Sequence, residues 1–436
     1  DNVNLYKERA TWEECVNYVV NELDEVARIL PNVTEIEPYW YGRPTKGAAM
    51  AIKARLLLYS ARPLFNGNPM YKDLISKEGN HLFPTAYNPE KWRIAAQANL
   101  DIINMPEYQL YQENNDPYKD YAGVFLKKWN SEILFGRSLS GKDWRITTIP
   151  RAVGGLAYGG VSPTQKMVDS YAMQNGYYPI TGYKAEGKPI IDERSGYNET
   201  GFSTFEHPID KYSRQIPKMY QNREPRFYVS VFWSGARWIY GNYQVDDVQF
   251  HFGGNSGPGS SHNFAETGYV IRKFTDNSLN TKNGEYGTVS WPLFRLAESY
   301  LNYAEALNEC DPGNPEILVY INKIRSRAGL KNIEELYPED ISNQEKMRNL
   351  ILRERQLELA FEGHRYFDTR TWLLAEQTDN GPVYGMNIYA KDDSPTGDFW
   401  KRTVVKHRVF RKNHYLFPIS QEEIDRNKKI TQNYLW

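Results

Sequence analysis

Three glutamates, Glu354, Glu358 and Glu362, recur at four-residue spacing in the last third of the chain. On a helix this spacing places the carboxylates side by side on one face. Paired carboxylates hydrolyse glycosidic bonds, but that reaction needs them on two sides of a sugar. Because Arg353 and Arg355 lie next to these glutamates, we interpret the pattern as a structural ion-pair network. A glycosidase is the alternative interpretation, and no catalytic residue is predicted.

The sequence contains only weak indications of a metal site and of a phosphate-binding loop. His251 and His262 flank the segment Gly253–Ser261 (GGNSGPGSS) and could meet at a metal ion, but no two histidines have the spacing of a zinc peptidase. The same segment has glycines but lacks the lysine that follows them in a phosphate-binding loop. We therefore expect exposed loop histidines, an ordinary loop, no metal site and no cofactor.

Aromatic residues are the strongest signal, with 33 tyrosines and 11 tryptophans among 436 residues. An aromatic ring stacks on the apolar face of a sugar while polar neighbours bond to the hydroxyls. The alternative is that each ring packs a long loop onto the body of the protein. We predict a ligand site in the central part of the chain, with stacking by Trp144, Tyr158, Tyr177, Tyr178, Trp233 and Trp238 and hydroxyl binding by Arg145 and Arg237.

Charge and cysteine content restrict the class of protein. Lys and Arg total 53 and Asp and Glu total 54, so the net charge of −1 argues against a nucleic-acid binder. Two cysteines, Cys15 and Cys310, exclude a disulfide framework, and both are expected to be buried in helices. No apolar run is long enough for a transmembrane helix.

Apolar spacing predicts helices at both ends of the chain and an irregular middle. The middle, about 105–288, is rich in Gly, Pro and Asn. In the last third, Ser299–Ala306 (SYLNYAEA) has the alternation of small and large residues of a tetratricopeptide repeat. The predicted helices are Thr11–Leu30, Lys46–Ala61, Pro89–Asn104, Pro163–Tyr171, Pro292–Asn308, a segment from Pro315 to Arg327, and Asn343–Glu362 with Gly363 as its stop. The predicted strands are Glu132–Gly136, Arg226–Trp233 and Gly268–Phe274.

Several longer stretches carry a family resemblance, in family order, from about residue 11 to the last residue. They are Gly42–Ala61 (GRPTKGAAMAIKARLLLYSA), Leu64–Asn66 (LFN), Pro163–Gly176, Asn222–Val231 (NREPRFYVSV), Thr267–Phe274, Leu293–Glu309, Ile321–Gly329, Ile351–Trp372 (ILRERQLELAFEGHRYFDTRTW) and Leu416–Trp436. With these stretches the chain resembles the SusD/RagB family of outer-membrane lipoproteins.

The resemblance implies a mostly α fold, in which a tetratricopeptide-like helix-pair scaffold carries a loop-rich, irregular, ligand-binding half. We expect one SusD-like domain over 1–436. Residues 1–105 and 289–375 would form the scaffold, and residues 106–288 and 376–415 the ligand-facing part. The matching stretches are scaffold motifs and identify no ligand residue directly.

The resemblance also implies a non-catalytic lipoprotein on the surface of the outer membrane. Such a protein captures glycans, or in some members peptides, and delivers them to a SusC-like TonB-dependent transporter, with other surface lipoproteins as further possible partners. Members of the family carry a signal peptide, a lipidated cysteine and a further helical segment ahead of the part matching Asp1. On that basis we expect this chain to lack its anchor and its first helices.

Overall fold

The computed structural model describes residues 6–259 and 261–436. Among these residues the longer α-helices lie between residues 12 and 126 and between residues 296 and 371. In chain order the α-helices are α1 (Trp12–Ile29), α2 (Lys46–Ala61), α3 (Glu90–Ile103), α4 (Pro117–Leu126), α5 (Lys142–Thr148), α6 (Gln165–Ser170), α7 (Pro225–Ser230), α8 (Leu296–Cys310), α9 (Glu316–Arg327), α10 (Ile333–Leu336), α11 (Pro338–Ile341), α12 (Gln344–Glu358), α13 (His364–Thr371), α14 (Ala375–Thr378) and α15 (Gln421–Arg426).

The strands form small antiparallel pairs within the described residues. In chain order they are β1 (Ile133–Ser140), β2 (Ile180–Tyr183), β3 (Pro189–Ile191), β4 (Phe202–Glu206), β5 (Ser213–Pro217), β6 (Val231–Trp233), β7 (Ala236–Tyr240), β8 (Tyr243–Val248), β9 (Tyr269–Ile271), β10 (Thr288–Arg295), β11 (Gly381–Met386) and β12 (Arg402–Arg408). The pairs are β1–β10, β2–β3, β4–β5, β6–β9, β7–β8 and β11–β12.

The helices of the two ends form one scaffold. Helix α2 packs against α1 and α3, α3 packs against α8, and α8 packs against α9 and α12. The N-terminal half of α2 is lined by the buried small residues Gly47, Ala48, Ala49 and Ala51, which allow neighbours to approach closely. The mostly α fold with a helical scaffold is thereby confirmed.

Most predicted boundaries hold within two residues, and the structure explains two of the larger differences. Helix α1 starts with the predicted capping box, in which the side chain of Thr11 accepts from the Glu14 amide and the Glu14 carboxylate accepts from the Thr11 amide. Helix α8 starts later than predicted, because Pro292 and its neighbours pair with β1. Helix α12 ends at Glu358, and Gly363, at a φ of 88°, starts α13 instead of ending α12.

The middle of the chain contains more helix than predicted. The segment Arg226–Trp233 is helical up to Ser230, with Pro225 at the first helical position, and only its last three residues form a strand. Helix α4 was not predicted, although Asp116 caps it through the amides of Tyr118 and Lys119. The predicted strand Arg226–Trp233 is therefore wrong for its first five residues, and the middle of the chain is less irregular than predicted.

The three spaced glutamates belong to a buried ion-pair network, as predicted. Glu358 pairs with Arg295 at 2.7 Å, with Arg226 at 3.1 Å and also with Arg327. The other two pair at 2.7 Å, Glu354 with Arg226 and Glu362 with Arg295. Burial opposes ionisation of all three, but the arginine charges outweigh it and hold each glutamate pKa below its ordinary value. These carboxylates stabilise the joint between helices and are closed to a substrate.

The two cysteines lie in helices, but their predicted burial is wrong for Cys15. Its side chain is exposed on the outer face of α1, and Cys310 at the end of α8 is half-buried. Among the described residues, none of the helices combines the length and the apolar character that a membrane crossing needs.

Candidate functional site

Four of the eight predicted ligand residues lie in the core. Arg145 and Tyr178 are each 4% exposed, Trp238 is 2% exposed and Trp233 is 1% exposed. A ring enclosed on both faces has no surface left for a sugar. The packing role that was the alternative interpretation is therefore the one the structure gives to these four side chains.

Trp233 and Trp238 illustrate this packing. Trp233 stacks against both Tyr220 and Phe227, at centroid distances of 5.1 and 5.3 Å. Trp238 meets Phe232 edge-on at 5.0 Å. These contacts hold the β6–β9 strand pair against Tyr220 and Phe227 and the β7–β8 hairpin against β6.

Arg237, next to Trp238 in the sequence, is half-buried. Its Nε atom lies 2.7 Å from an Asp246 oxygen, and its guanidinium sits 3.8 Å above the Tyr212 ring. The Arg237 guanidinium, which was predicted to bind sugar hydroxyls, therefore already contacts the Asp246 carboxylate and the Tyr212 ring.

The predicted pair Tyr177 and Tyr178 lies in a separate region. The hydroxyl of Tyr178 donates to Glu354 at 3.0 Å, which ties this ring to the ion-pair network. Tyr177 is half-buried, edge-on to Tyr337 at 5.8 Å and beneath the Arg194 guanidinium at 4.9 Å. The eight residues thus divide into separate groups and do not form one site.

Trp144 and Arg145 belong to α5. Trp144 is half-buried and meets the stacked rings of Phe274 and Trp291 edge-on, and Arg145 donates to the Tyr286 carbonyl. Tyr158 lies close to α5, because its backbone amide donates to the Ile146 carbonyl at 2.7 Å. The Tyr158 side chain is 37% exposed. Tyr158 is therefore the most exposed of the eight residues.

Tyr158 lies at the edge of a surface that we name the loop face, formed by residues 151–158, 243–259 and 387–393. The Arg151 guanidinium donates to the carbonyls of Gly254, Asn255 and Gly257, at 3.2, 3.2 and 2.8 Å. The Ala152 amide donates to Ser256 Oγ at 2.9 Å. The glycine-rich segment is therefore a loop, as predicted, and hydrogen bonds hold it against the body; Ser260 lies outside the described residues.

A second set of bonds joins the loop to the chain around residue 390. The Phe252 amide donates to the Ala390 carbonyl at 2.9 Å, and His251 Nδ1 lies 3.0 Å from Asp393 Oδ2. His251 is therefore a half-buried partner of a carboxylate and not the exposed histidine that was expected. Burial and the nearby Asp393 raise the pKa of Asp247, on the same face.

The loop face carries aromatic side chains that the sequence did not single out as ligand residues. Tyr389 is 65% exposed, Tyr243 is 57% exposed and Phe252 is 38% exposed. Polar groups of Asn255, Lys391 and Asp393 stand on the same segments. The signal that would have found Tyr389 and Phe252 is their position next to turn-forming residues, where a ring has little to pack against.

Comparison with known proteins places the chain in a family. The family model described as "SusD family" matches residues 111–436, which is most of the chain. The chain belongs to the SusD family.

Similar proteins agree with this assignment. The SusD-like protein P2 of Formosa agariphila is 30% identical over 168 residues, which is 38% of this SusD-family chain and only 29% of that relative. A SusD-like protein of Bacteroides fragilis superposes with a TM-score of 0.74 at 23% identity, over 100% of this chain and 73% of that one. The solved structure of BT4246 superposes with a TM-score of 0.81 at 25% identity, over 99% and 77%.

The rigidity of the loop face in this SusD-family chain can be tested at Gly257. A Cβ atom at this position would lie 1.8 Å from the His251 carbonyl oxygen, so the turn cannot close around a larger residue. We expect Gly257→Ala to lower the free energy of unfolding by about 1–3 kcal/mol. Urea unfolding measures this. Gly160→Ala is the control, since nothing lies within 4 Å of the Cβ added there, and equal stability of the two variants would contradict the expectation.

Proposed function

We propose that this chain captures oligosaccharides at the bacterial cell surface and that the loop face is where it holds them. The observation that carries the proposal is the group of exposed rings, Tyr158, Tyr243, Phe252 and Tyr389, on segments tied together by hydrogen bonds. Membership of the SusD family supports it.

The chemistry of capture follows from the side chains of this face. An exposed ring offers a flat apolar surface to the C–H face of a sugar, at about 0.5–1.5 kcal/mol for each contact. The Asp247 carboxylate offers an acceptor and the Lys391 ammonium offers donors to hydroxyls. Because the rings are exposed and leave much of the sugar in water, we expect weak, reversible binding, which suits a protein that passes its ligand on.

The rings can be tested directly. We expect Tyr158→Ala, Tyr243→Ala and Tyr389→Ala in one variant to weaken glycan binding at least about tenfold, because each contact contributes about 1 kcal/mol. A glycan array identifies a ligand, and calorimetry with that ligand measures the affinity.

The matched control is a variant with Tyr18→Ala and Tyr87→Ala, two tyrosines that are 66% and 58% exposed and lie outside the loop face. Unchanged affinity in the loop-face variant would contradict the assignment of this face. Binding of peptides in place of any glycan would favour the peptide-binding alternative.

Delivery to a SusC-like TonB-dependent transporter and attachment to the outer membrane through a lipid are parts of the same proposal. The support is family membership. Affinity purification of the full-length protein from its native membranes tests both parts. We expect a TonB-dependent transporter to co-purify and the protein to be lipidated; recovery without a transporter would contradict the delivery step.

A further inference from the structure

A cleft outside the loop face has an unusual concentration of positive charge. Two cavities of about 330 and 250 Å³ share Lys166, Asp169 and Tyr183, and we name them together the basic cleft. Helix α6, strand β2, helix α12 and the β11–β12 hairpin form its walls. Its cationic lining residues are Lys166, Lys184, Arg353, Arg365, Arg402 and Arg408, whereas the acidic ones are Asp169 and Glu186. This local excess contrasts with the net charge of −1 of the whole chain.

The buried carboxylate of the cleft is already neutralised. Arg402 contacts both oxygens of Asp169, at 2.6 and 2.8 Å, and also pairs with Glu199. Gln165 Nε2 and the Tyr183 hydroxyl donate to Asp169 as well, at 3.0 and 2.9 Å. Asp169 is therefore satisfied by these partners, and the other cations of the cleft have no paired carboxylate among the described residues.

Lys166 and Arg365 are two of these cations. Both line the smaller cavity, and neither has a carboxylate within ion-pair distance in the described part of the chain. Asp379 attracts both cations and Asp368 attracts Arg365. These carboxylates already have partners, because Arg370 and Thr369 hold Asp379 at 3.3 and 3.0 Å, and Arg62 and Arg355 hold Asp368 at 2.8 and 2.9 Å. Partial burial and repulsion from Arg365 lower the pKa of Lys166. An anion bound between the two cations would remove this repulsion.

Tyr183 adds a stacking surface to the same cleft. Its hydroxyl is fixed by Asp169, while the side chain is still 39% exposed and lines both cavities. A ring held by its polar end and open on its face is preorganised for a flat apolar partner. Cations beside a stacking ring match a sugar that carries an anionic substituent.

We propose that the basic cleft binds an acidic oligosaccharide, with Lys166 and Arg365 on its carboxylate or sulfate group and Tyr183 against a sugar ring. This rests on the proposed glycan capture and specifies one class of glycan. The cleft is a second site, because none of the residues lining it belongs to the loop face.

The test compares ligands that differ in net charge, in the charged group (carboxylate or sulfate) and in whether a sugar or a peptide carries it. Calorimetry is run with an oligogalacturonate, a sulfated galactan oligosaccharide, a neutral galacto-oligosaccharide and a glutamate hexapeptide. We expect at least one acidic sugar to bind about tenfold tighter than the neutral one, and the preference for carboxylate or sulfate identifies the group. Raising NaCl from about 50 to about 500 mM should weaken that binding severalfold, because salt screens the two cations.

Variants locate the site. We expect Lys166→Gln with Arg365→Gln to weaken acidic-sugar binding about tenfold, Lys166→Arg with Arg365→Lys to retain it, and the exposed control Lys77→Gln to leave it unchanged. Circular dichroism confirms that each variant is folded.

The proposal is overturned if acidic sugars bind no better than the neutral one, if the double Gln variant binds like the parent, or if only the glutamate peptide binds. Neutral-sugar binding that still depends on Tyr158, Tyr243 and Tyr389 would show that the glycan-binding function stands while the cleft assignment fails. If the parent protein binds none of the sugars, both the glycan-binding function and the cleft assignment are overturned.

Discussion

Replacing Glu358 by Gln lowers the free energy of unfolding by about 3–5 kcal/mol, the range for breaking a buried ion pair from one side. Glu358 is fully buried and pairs with Arg226, Arg295 and Arg327. These arginines come from α7, the end of β10 and α9. The substitution keeps the size of the side chain but removes its charge, so three buried guanidinium groups lose part of their neutralisation.

Urea unfolding of the parent and the variant measures this effect. The control is Glu422→Gln, because Glu422 pairs with Arg426 at 2.9 Å while remaining 79% exposed. We expect the control to change stability by less than about 1 kcal/mol, as exposed ion pairs contribute little. A Glu358→Gln variant as stable as the control would show that the network does not hold the scaffold together.

The stability of the protein falls as the pH is lowered from about 6.5 to about 4, and His364 is one of the causes. Burial, with the Arg355 and Arg55 charges, lowers the pKa of His364 from 6.5 to about 4, against the attraction of Glu298. Between these two values the unfolded chain binds a proton that the folded chain does not. Stability contributed by a neutral buried histidine is thus present above pH 6.5 and lost on acidification.

The expected loss from His364 alone is on the order of 3 kcal/mol, since each unit of pKa shift corresponds to 1.36 kcal/mol. His207, whose pKa burial also lowers, adds to the same slope. Below about pH 4.5 the paired carboxylates add a further loss, because the pKa of Glu298 is lowered to about 2. Their stabilisation is present above their ordinary pKa and disappears as they are protonated.

Unfolding free energies at several pH values between 4 and 7 test this. We expect His364→Gln to reduce the slope between about pH 4.5 and 6.5 and to leave the steeper loss below it. The quantity compared between the parent and the variant is the slope of unfolding free energy against pH. A constant difference in stability between the two proteins does not affect this slope. A variant with the slope of the parent would mean that His364 is not the titrating group.

The helical scaffold was predictable because its helices carry their signals locally. Apolar spacing, the Thr11–Glu14 capping box and the run of small residues at Gly47–Ala51 are all read within a few residues. Helix α8 was misplaced at its start because Pro292 resembles a first helical residue. Its pairing with β1 depends on Gly136, far away in sequence, which no local pattern reports.

For the loop face, the sequence predicted the part of the chain that contributes most of it but not the exposed side chains. Glycine, proline and asparagine indicate that the middle lacks long regular elements, but they do not say which rings are exposed. Trp233 and Tyr158 occur in similar composition, yet one is 1% and the other 37% exposed, because only Trp233 meets Tyr220 and Phe227. Lys166 and Arg365 likewise meet only through the fold, so the basic cleft has no signature in the sequence.

The β1–β10 ladder has a consequence for how this chain can vary. It joins Ser140 to Thr288 and Ile133 to Arg295, and so closes the whole intervening segment at its base. The entropy lost on closing a flexible loop grows only with the logarithm of its length, by about 0.6 kcal/mol for each doubling. Exposed loops between these strands can therefore be lengthened or shortened at small thermodynamic cost, whereas Arg226 in the same segment is tied to Glu354 and Glu358 of the scaffold. In this fold, ligand preference can change through the exposed loops while the buried contacts of the segment are retained.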